Sequence, residues 1–307
     1  QKICEENYPR GVFVLLIYPL RALARDQVKK INELIRCCKL EDEIEAFTIL
    51  GKQDPSYYEH HKEITYKKSV IVATNFDFVN THLTLVDHKW KDFCQSAEIV
   101  VMDELHSYTS FHGSNVYHLI KRMKRHMKRK DHREVQFIGS SATLHNAQKF
   151  FETICGLDPL TSEYIKSDVG REQNIHKFFI WPLKFPQRVT MEKIAKVCYE
   201  NQRYPEDRDK KSRQLIFSNT HNEAEFLAAN LSNSKSKMRV DVHRGGLMQE
   251  DRDQTEINLQ NGDIDGISCT PTLELGIDIG TIDVAISSFK TEYDTFIQRS
   301  GRAGREG

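Results

Sequence analysis

Ile99-Val100-Val101-Met102-Asp103-Glu104-Leu105-His106 sets four apolar residues directly against two adjacent carboxylates. An unbroken apolar run suits a strand buried on both faces, as in a parallel sheet covered by helices. The pattern recurs in both directions. Strands are expected at Val12–Tyr18, Val70–Thr74 and Val135–Gly139, and further along at Phe178–Trp181, Gln214–Ser218, Val240–His243, Gly266–Thr270 and Val284–Phe289. Helical stretches such as Leu20–Cys38 and Ser114–Lys130 fall between them, which gives an α/β fold class with parallel sheets. At 307 residues the chain exceeds the usual size of one domain. The alternation lapses between Gly156 and Arg188, where Asp158-Pro159, Gly170, Pro182 and Pro186 accumulate. Two domains are therefore expected: the first over residues 1–157, the second over 188–307, with 158–187 as a linker and the second domain's first strand.

Composition narrows the function classes. Lys plus Arg number 44, as do Asp plus Glu, so the formal net charge is zero. That excludes a generally basic nucleic-acid coat and an acidic tail protein, while leaving room for a local basic groove. The longest apolar run, Val12–Tyr18, has seven residues, against the roughly 20 needed to span a bilayer. No membrane role is expected. The seven cysteines are an odd number, scattered, with no CxxC pair. Neither a disulfide framework nor a structural zinc site is expected, and the cytoplasm (or the nucleus, in a eukaryote) is the natural compartment.

Asp103 and Glu104 sit at the carboxyl end of their strand, where ligands bind in open α/β sheets. One acid of such a pair can hold a Mg²⁺ through water, because Mg²⁺ prefers oxygen ligands and keeps several waters. The other can orient or deprotonate a water that attacks a phosphate. Read alone, the pair is equally an acidic loop entering a helix. Gly139-Ser140-Ser141-Ala142-Thr143 follows the next apolar strand, and its hydroxyls are candidates to hydrogen-bond back to His106 or Asp103. Alone, it reads as a helix cap. Near the end of the chain, Gln298-Arg299-Ser300-Gly301-Arg302-Ala303-Gly304-Arg305 spaces three arginines with glycines. Guanidinium is permanently charged and binds two oxygens at once, so the run suits phosphate recognition.

These segments, with Thr270-Pro271-Thr272-Leu273-Glu274-Leu275-Gly276-Ile277-Asp278-Ile279-Gly280, follow the order and approximate spacing of superfamily 2 helicases. Asp103–His106 resembles motif II, Ser141–Thr143 motif III, Gly276–Gly280 motif V and Gln298–Arg305 motif VI. Tyr18–Ala24 resembles motif Ia, and Leu215–Asn219 motif IV, followed by Val242–Leu247. Ala73-Thr74-Asn75-Phe76-Asp77 resembles motif Ib, with Phe76 where a Pro is more usual. Within the superfamily, Asp103–Tyr108, Phe111–Val116, Leu273–Gly280 and the Trp181-Pro182 pair look like the mitomycin-repair (MrfA-type) helicases and their RecQ-like fungal relatives. The Lhr-type family shares the second motif of that set.

The resemblance implies two RecA-like domains in tandem with ATP bound in the cleft between them. Asp103 would hold Mg²⁺ through water, Glu104 would position the attacking water, and Arg302 and Arg305 would act as arginine fingers, with His106 and Gln298 beside them. Gly276 and Asp278 would contact the nucleotide, Asp278 at the ribose, and Ser141 and Thr143 would couple hydrolysis to domain closure. Leu20, Arg21, Thr74, Asn75, Gly245, Gly246 and Thr270 would hold the nucleic acid, expected to be single-stranded or tailed DNA.

No G-x-x-x-x-G-K-[ST] phosphate loop is present; Gly51-Lys52-Gln53 holds the one Gly-Lys pair and lacks the hydroxyl residue that ligates Mg²⁺. The chain is therefore expected to be truncated at both ends, with the loop just before Gln1, and to be inactive by itself. Two alternatives stay open: a non-catalytic nucleic-acid-binding protein, and the motor subunit of a defence or restriction nuclease system. A downstream accessory domain or nuclease partner belongs to the same expectation. Lys121–Arg133 carries eight Lys/Arg in thirteen residues and reads as the solvated face of an amphipathic helix rather than a DNA-backbone patch.

Overall fold

The computed structural model describes residues 11–51, 68–84, 97–127, 135–141, 144, 146–165, 177–180, 184–201, 212–233, 238–273, 280–288 and 291–304. The chain divides into two compact units, Gln1–Ile165 and Lys166–Gly307.

The first unit holds a five-stranded sheet: β1 (Phe13–Ile17), β2 (Ile44–Thr48), β3 (Ser69–Thr74), β4 (Ile99–Met102) and β5 (Gln136–Gly139). Its order is β2-β3-β1-β4-β5 and every pairing is parallel. Helices α1 (Arg21–Cys38), α2 (Phe76–Thr84) and α3 (Ser110–His126) lie between the strands, and α4 (Ala147–Cys155) follows β5. β1 is buried along its whole length, as its Phe-Val-Leu-Leu-Ile sequence requires of a central strand covered on both faces. Phe13, Leu15 and Ile17 enter one core with Met102, Tyr108 and Met123, while Val14 and Leu16 enter another with Leu23, Ala24 and Val28 of α1. Successive side chains of one strand thus feed opposite faces.

The second unit repeats this winding. Strands β6 (Gln214–Phe217), β7 (Val240–His243), β8 (Gly266–Cys269) and β9 (Val284–Ser287) form a parallel sheet in the order β7-β8-β6-β9. α5 (Gln187–Asn201), α6 (His221–Ser232), α7 (Gln249–Asn261) and α8 (Tyr293–Ser300) accompany it. In both sheets the first strand is central, the next two lie on one side, and the fourth crosses to the other.

Two sequence expectations need correction. β2 is a strand beyond those expected: Ile44-Glu45-Ala46-Phe47-Thr48 has no unbroken apolar run, because an edge strand pairs on one side only and tolerates a charge. Conversely, Phe178–Ile180 form no strand, and Phe178 and Phe179 are each 83% exposed. Apolarity alone does not supply a ladder partner; the Phe179 ring lies instead on Phe296, centroids 5.5 Å apart. Trp181 lies outside the described residues. In α3, Lys124 donates to Gly156 O (2.9 Å), Lys121 lies over the Tyr117 ring and Arg122 donates to Asn80. These cations are engaged by their own unit, which fits the surface reading of that run. Lys128–Arg133 fall outside the described residues. Among the described residues no helix is long and apolar enough to cross a membrane.

Acid stability of the second unit is tied to Asp265. Its carboxylate accepts from the backbone and side-chain nitrogens of Arg239 and from Tyr199 Oη. Burial pushes this carboxyl up, but the Arg239 hydrogen bonds and charge outweigh it and hold it below the ordinary carboxylate value. A carboxyl depressed by folding stabilises above its unfolded pKa of about 4, and that stability is lost as pH falls through the lower folded value. Urea midpoints should therefore drop on acidification below about pH 4, and Asp265→Asn should flatten that drop while lowering stability at neutral pH.

Candidate functional site

In the first sheet the chain reverses its direction of winding between β1 and β4, and the carboxyl edge at that switch point is where α/β sheets bind ligands. Asp103 leaves β4 at this edge, its N–H donating to Ile17 O of β1 at 3.1 Å. Asp103 Oδ1 accepts two hydrogen bonds, one from the Glu104 N–H at 2.9 Å and the other from Ser140 Oγ. Register explains the second. Met102 pairs with Gly139, so the residues that follow them, Asp103 and Ser140, emerge side by side. Gly139 leaves room there: a Cβ would sit 2.6 Å from the Phe151 ring and 2.7 Å from a Leu105 methyl, and those side chains would have to shift.

Glu104 has a left-handed backbone, φ 50° and ψ 52°. A non-glycine residue pays about 1–2 kcal/mol for this, so neighbours must impose it. They do: Ser107 N–H and Oγ–H both donate to Glu104 O at 2.8 Å, and Leu105 N–H donates to Ser140 O at 2.9 Å. The turn aims Glu104 Oε2 to within 3.3 Å of His106 Nδ1, which also lies 3.4 Å from Ser141 Oγ. The expected return of hydroxyls from the 140s onto Asp103 and His106 is thus present. Ser140 was not singled out from the sequence, though it stands in the same quoted run. Thr143 lies outside the described residues.

Tyr18 and Tyr108 back this edge. Burial first, and then the nearby Asp103 charge, push the Tyr18 phenol up to about 12 and Tyr108 higher still. Both stay neutral across the physiological range and add no charge beside the acids. Among the described residues no cluster of three or more His, Cys, Asp and Glu could close around a metal ion.

The nucleic-acid candidates of this unit share the same edge. Leu20 precedes α1 and Arg21 opens it, exposed. Thr74 ends β3 and Asn75 follows it, both buried. Thr74 Oγ1 donates to Ile49 O at 2.6 Å, and Asn75 Oδ1 accepts from Phe78 N–H at 2.8 Å, starting α2. Their side chains shape the turn, and Arg21 is the exposed cation of the set.

In the second unit, Gly245 and Gly246 follow β7, Gly246 at φ +89°, a conformation that favours glycine. Thr270 directly follows β8, buried, its N–H donating to His243 O at 3.2 Å. Gln298 lies on α8, half-buried. Arg302 follows that helix and is only 3% exposed. Arg299 proves to be a packing residue. Its Nη1 donates to Ser287 Oγ and Thr291 Oγ1, both at 2.9 Å, and its guanidinium lies over the Phe217 ring at 5.2 Å. It pins α8 to the β6/β9 switch point of the second sheet. The sequence signal, an Arg in a Gly-spaced run, does not separate this role from phosphate binding. Gly276, Asp278 and Arg305 lie outside the described residues.

The profile of the DEAD/DEAH box helicase family matches residues 1–150, and that of the helicase conserved C-terminal domain matches residues 192–307. The chain belongs to the superfamily 2 helicases. This helicase core is 27% identical over 311 residues to the ATP-dependent helicase YprA of Bacillus subtilis, covering 99% of this chain and 40% of YprA. It is 26% identical over 316 residues to the ATP-dependent helicase hrq1 of Schizosaccharomyces pombe, covering 99% of this chain and 29% of the relative. The crystal structure of helicase MrfA bound to DNA and AMPPNP matches with a TM-score of 0.77 and 25% identity, over 96% of this chain and 40% of that one. The helicase core thus spans well under half the length of these relatives. Its two parallel sheets are RecA-like, and the expected family and fold class hold.

Proposed function

We propose that this chain is the motor core of an ATP-dependent DNA helicase or translocase, working with a phosphate loop that its own 307 residues do not contain. The carrying observation is the Asp103–Glu104 pair, fixed at the β1/β4 switch point by Ser140, Ser107 and His106. An all-oxygen donor set with few carboxylates suits Mg²⁺, which retains waters and shares phosphate oxygens. Asp103 would hold the ion through water, and the ion when bound would neutralise charge on the phosphates. Glu104 accepts the proton of the attacking water, and His106 holds Glu104 and reaches Ser141, which with Thr143 couples hydrolysis to movement. Gln298, Arg302 and Arg305 answer the charge of the transferring phosphoryl group; Gly276 and Asp278 take the nucleotide, Asp278 at the ribose. A motor of this kind works in the cytoplasm or nucleus, with an accessory or nuclease domain acting alongside it.

Leu20, Arg21, Thr74, Asn75, Gly245, Gly246 and Thr270 lie at the carboxyl edges of their sheets or, for Leu20 and Arg21, just past β1. Backbone amides and short side chains of this kind reach phosphate and sugar, which position a strand without reading its sequence. The test is affinity against salt for unrelated single-stranded oligonucleotides and one blunt duplex. Arg21→Ala should weaken all single strands about equally and reduce the log–log slope by about 0.7, the loss of one phosphate contact. Strong discrimination between oligonucleotide sequences, or preference for the blunt duplex, overturns the motor reading.

A further inference from the structure

Motif Ib of this chain carries Phe76 where the family more usually has Pro, and the structure gives that ring a partner. Phe76 opens α2 directly after Thr74-Asn75, and its ring meets Tyr108 edge-on, centroids 4.9 Å apart at 88°. Both are buried, Phe76 at 5% and Tyr108 at 1% exposure, so the contact is dry and closely packed. Tyr108 in turn belongs to the carboxylate turn. Its N–H donates to Leu105 O at 3.1 Å, and its hydroxyl stands 3.5 Å from Ile17 O, the carbonyl that receives the Asp103 N–H. The Asp103 charge is felt at the Tyr108 phenol.

Two rigid connections therefore meet at one aromatic pair. Asn75 is locked to the first turn of α2, through Oδ1 to Phe78 N–H and through its carbonyl to Val79 N–H at 3.2 Å. Any displacement of the Thr74-Asn75 turn carries the start of α2, and Phe76 with it. On the other side, Tyr108 closes the turn that holds Glu104 in its left-handed backbone. A proline at position 76 could start the helix equally well, but it would offer no ring to Tyr108.

Resting on the proposed function, we propose that Phe76 and Tyr108 form the positioning contact through which nucleic acid on the Thr74-Asn75 turn sets the alignment of Asp103 and Glu104. The contact lies within one unit and joins the strand-end turn after β3 to the one after β4. Neither ring touches substrate; both act through the residues they brace.

The test measures ATP hydrolysis in the intact protein carrying the phosphate loop, with and without a single-stranded oligonucleotide. Phe76→Leu should keep the basal rate within about twofold and cut the fold-stimulation by DNA about 5- to 20-fold, in the range of ordinary inter-site coupling. Phe76→Tyr, which retains the ring, should restore stimulation, and Tyr108→Phe should also retain it. Tyr108→Leu should behave as Phe76→Leu does, and the double variant should lose no more than either single one. If Tyr108→Leu does not fold, the Phe76→Leu and Phe76→Tyr pair decides. Stimulation unchanged in Phe76→Leu, or basal and stimulated rates falling together, overturns the coupling and leaves the function intact. Absence of any DNA-stimulated hydrolysis in the unsubstituted protein overturns the proposed function, and the coupling with it.

Discussion

Glu104→Gln, in the protein that carries the phosphate loop, is expected to leave ATP binding within a few-fold of the parent and to lower hydrolysis by about 10²–10⁴-fold, the usual worth of a positioned general base. The carboxamide keeps the size and shape of the side chain but cannot accept the proton of the attacking water. Local structure should survive the change. The left-handed backbone of residue 104 is imposed by Ser107 acting on its carbonyl, which the substitution does not touch. His106 Nδ1, 3.3 Å from Glu104 Oε2, can meet a carboxamide oxygen in the tautomer that carries its proton on Nδ1. Single-turnover hydrolysis and equilibrium binding of a fluorescent ATP analogue separate the two effects. A loss of only a few-fold in turnover would remove Glu104 from the role of base. The 307-residue chain on its own should be silent throughout, because without the phosphate-loop Lys and hydroxyl the β- and γ-phosphates have no cradle.

Arg302→Ala should cost about 10³–10⁵-fold in kcat, the worth of an arginine finger in other phosphoryl-transfer systems. The transferring group spreads negative charge over its oxygens, and a permanently charged guanidinium answers it without any change of protonation. Because Arg302 is only 3% exposed, loss of packing has to be told apart from loss of charge. Arg302→Lys keeps a cation but not the planar fork, and should recover thermal stability while recovering little of the rate. Arg299→Ala supplies the contrast. It breaks the bonds to Ser287 and Thr291 and the contact with Phe217, so its main effect should be a lowered unfolding temperature of the second unit. Equal rate losses in Arg302→Ala and Arg299→Ala, each tracking stability, would remove the finger assignment.

The strand pattern was legible because buried parallel strands write themselves as unbroken apolar runs, as Phe13–Ile17 and Leu215-Ile216-Phe217 do. β2 escaped because an edge strand with Glu45 in it has no such run. Phe178–Ile180 misled because the run is there and the ladder is not. The same division holds in the site. Asp103, Glu104 and His106 stand together in sequence, and a strand end needs only local pattern to be recognised. Ser140 reaches Asp103 from 37 residues away, and only the pairing of Met102 with Gly139 brings it there.

From sequence alone came the α/β class, the two sheets and the acid pair, which rest on periodicity or on residues adjacent in the chain, and the superfamily, which rests on the resemblance of a series of ordered motifs to known helicases. Tertiary structure alone decided which hydroxyl meets which acid, that Arg299 grips the sheet, and that Phe76 found Tyr108. Those depend on strand order and register. Both are settled by packing between segments far apart in the chain, and local sequence carries no record of them.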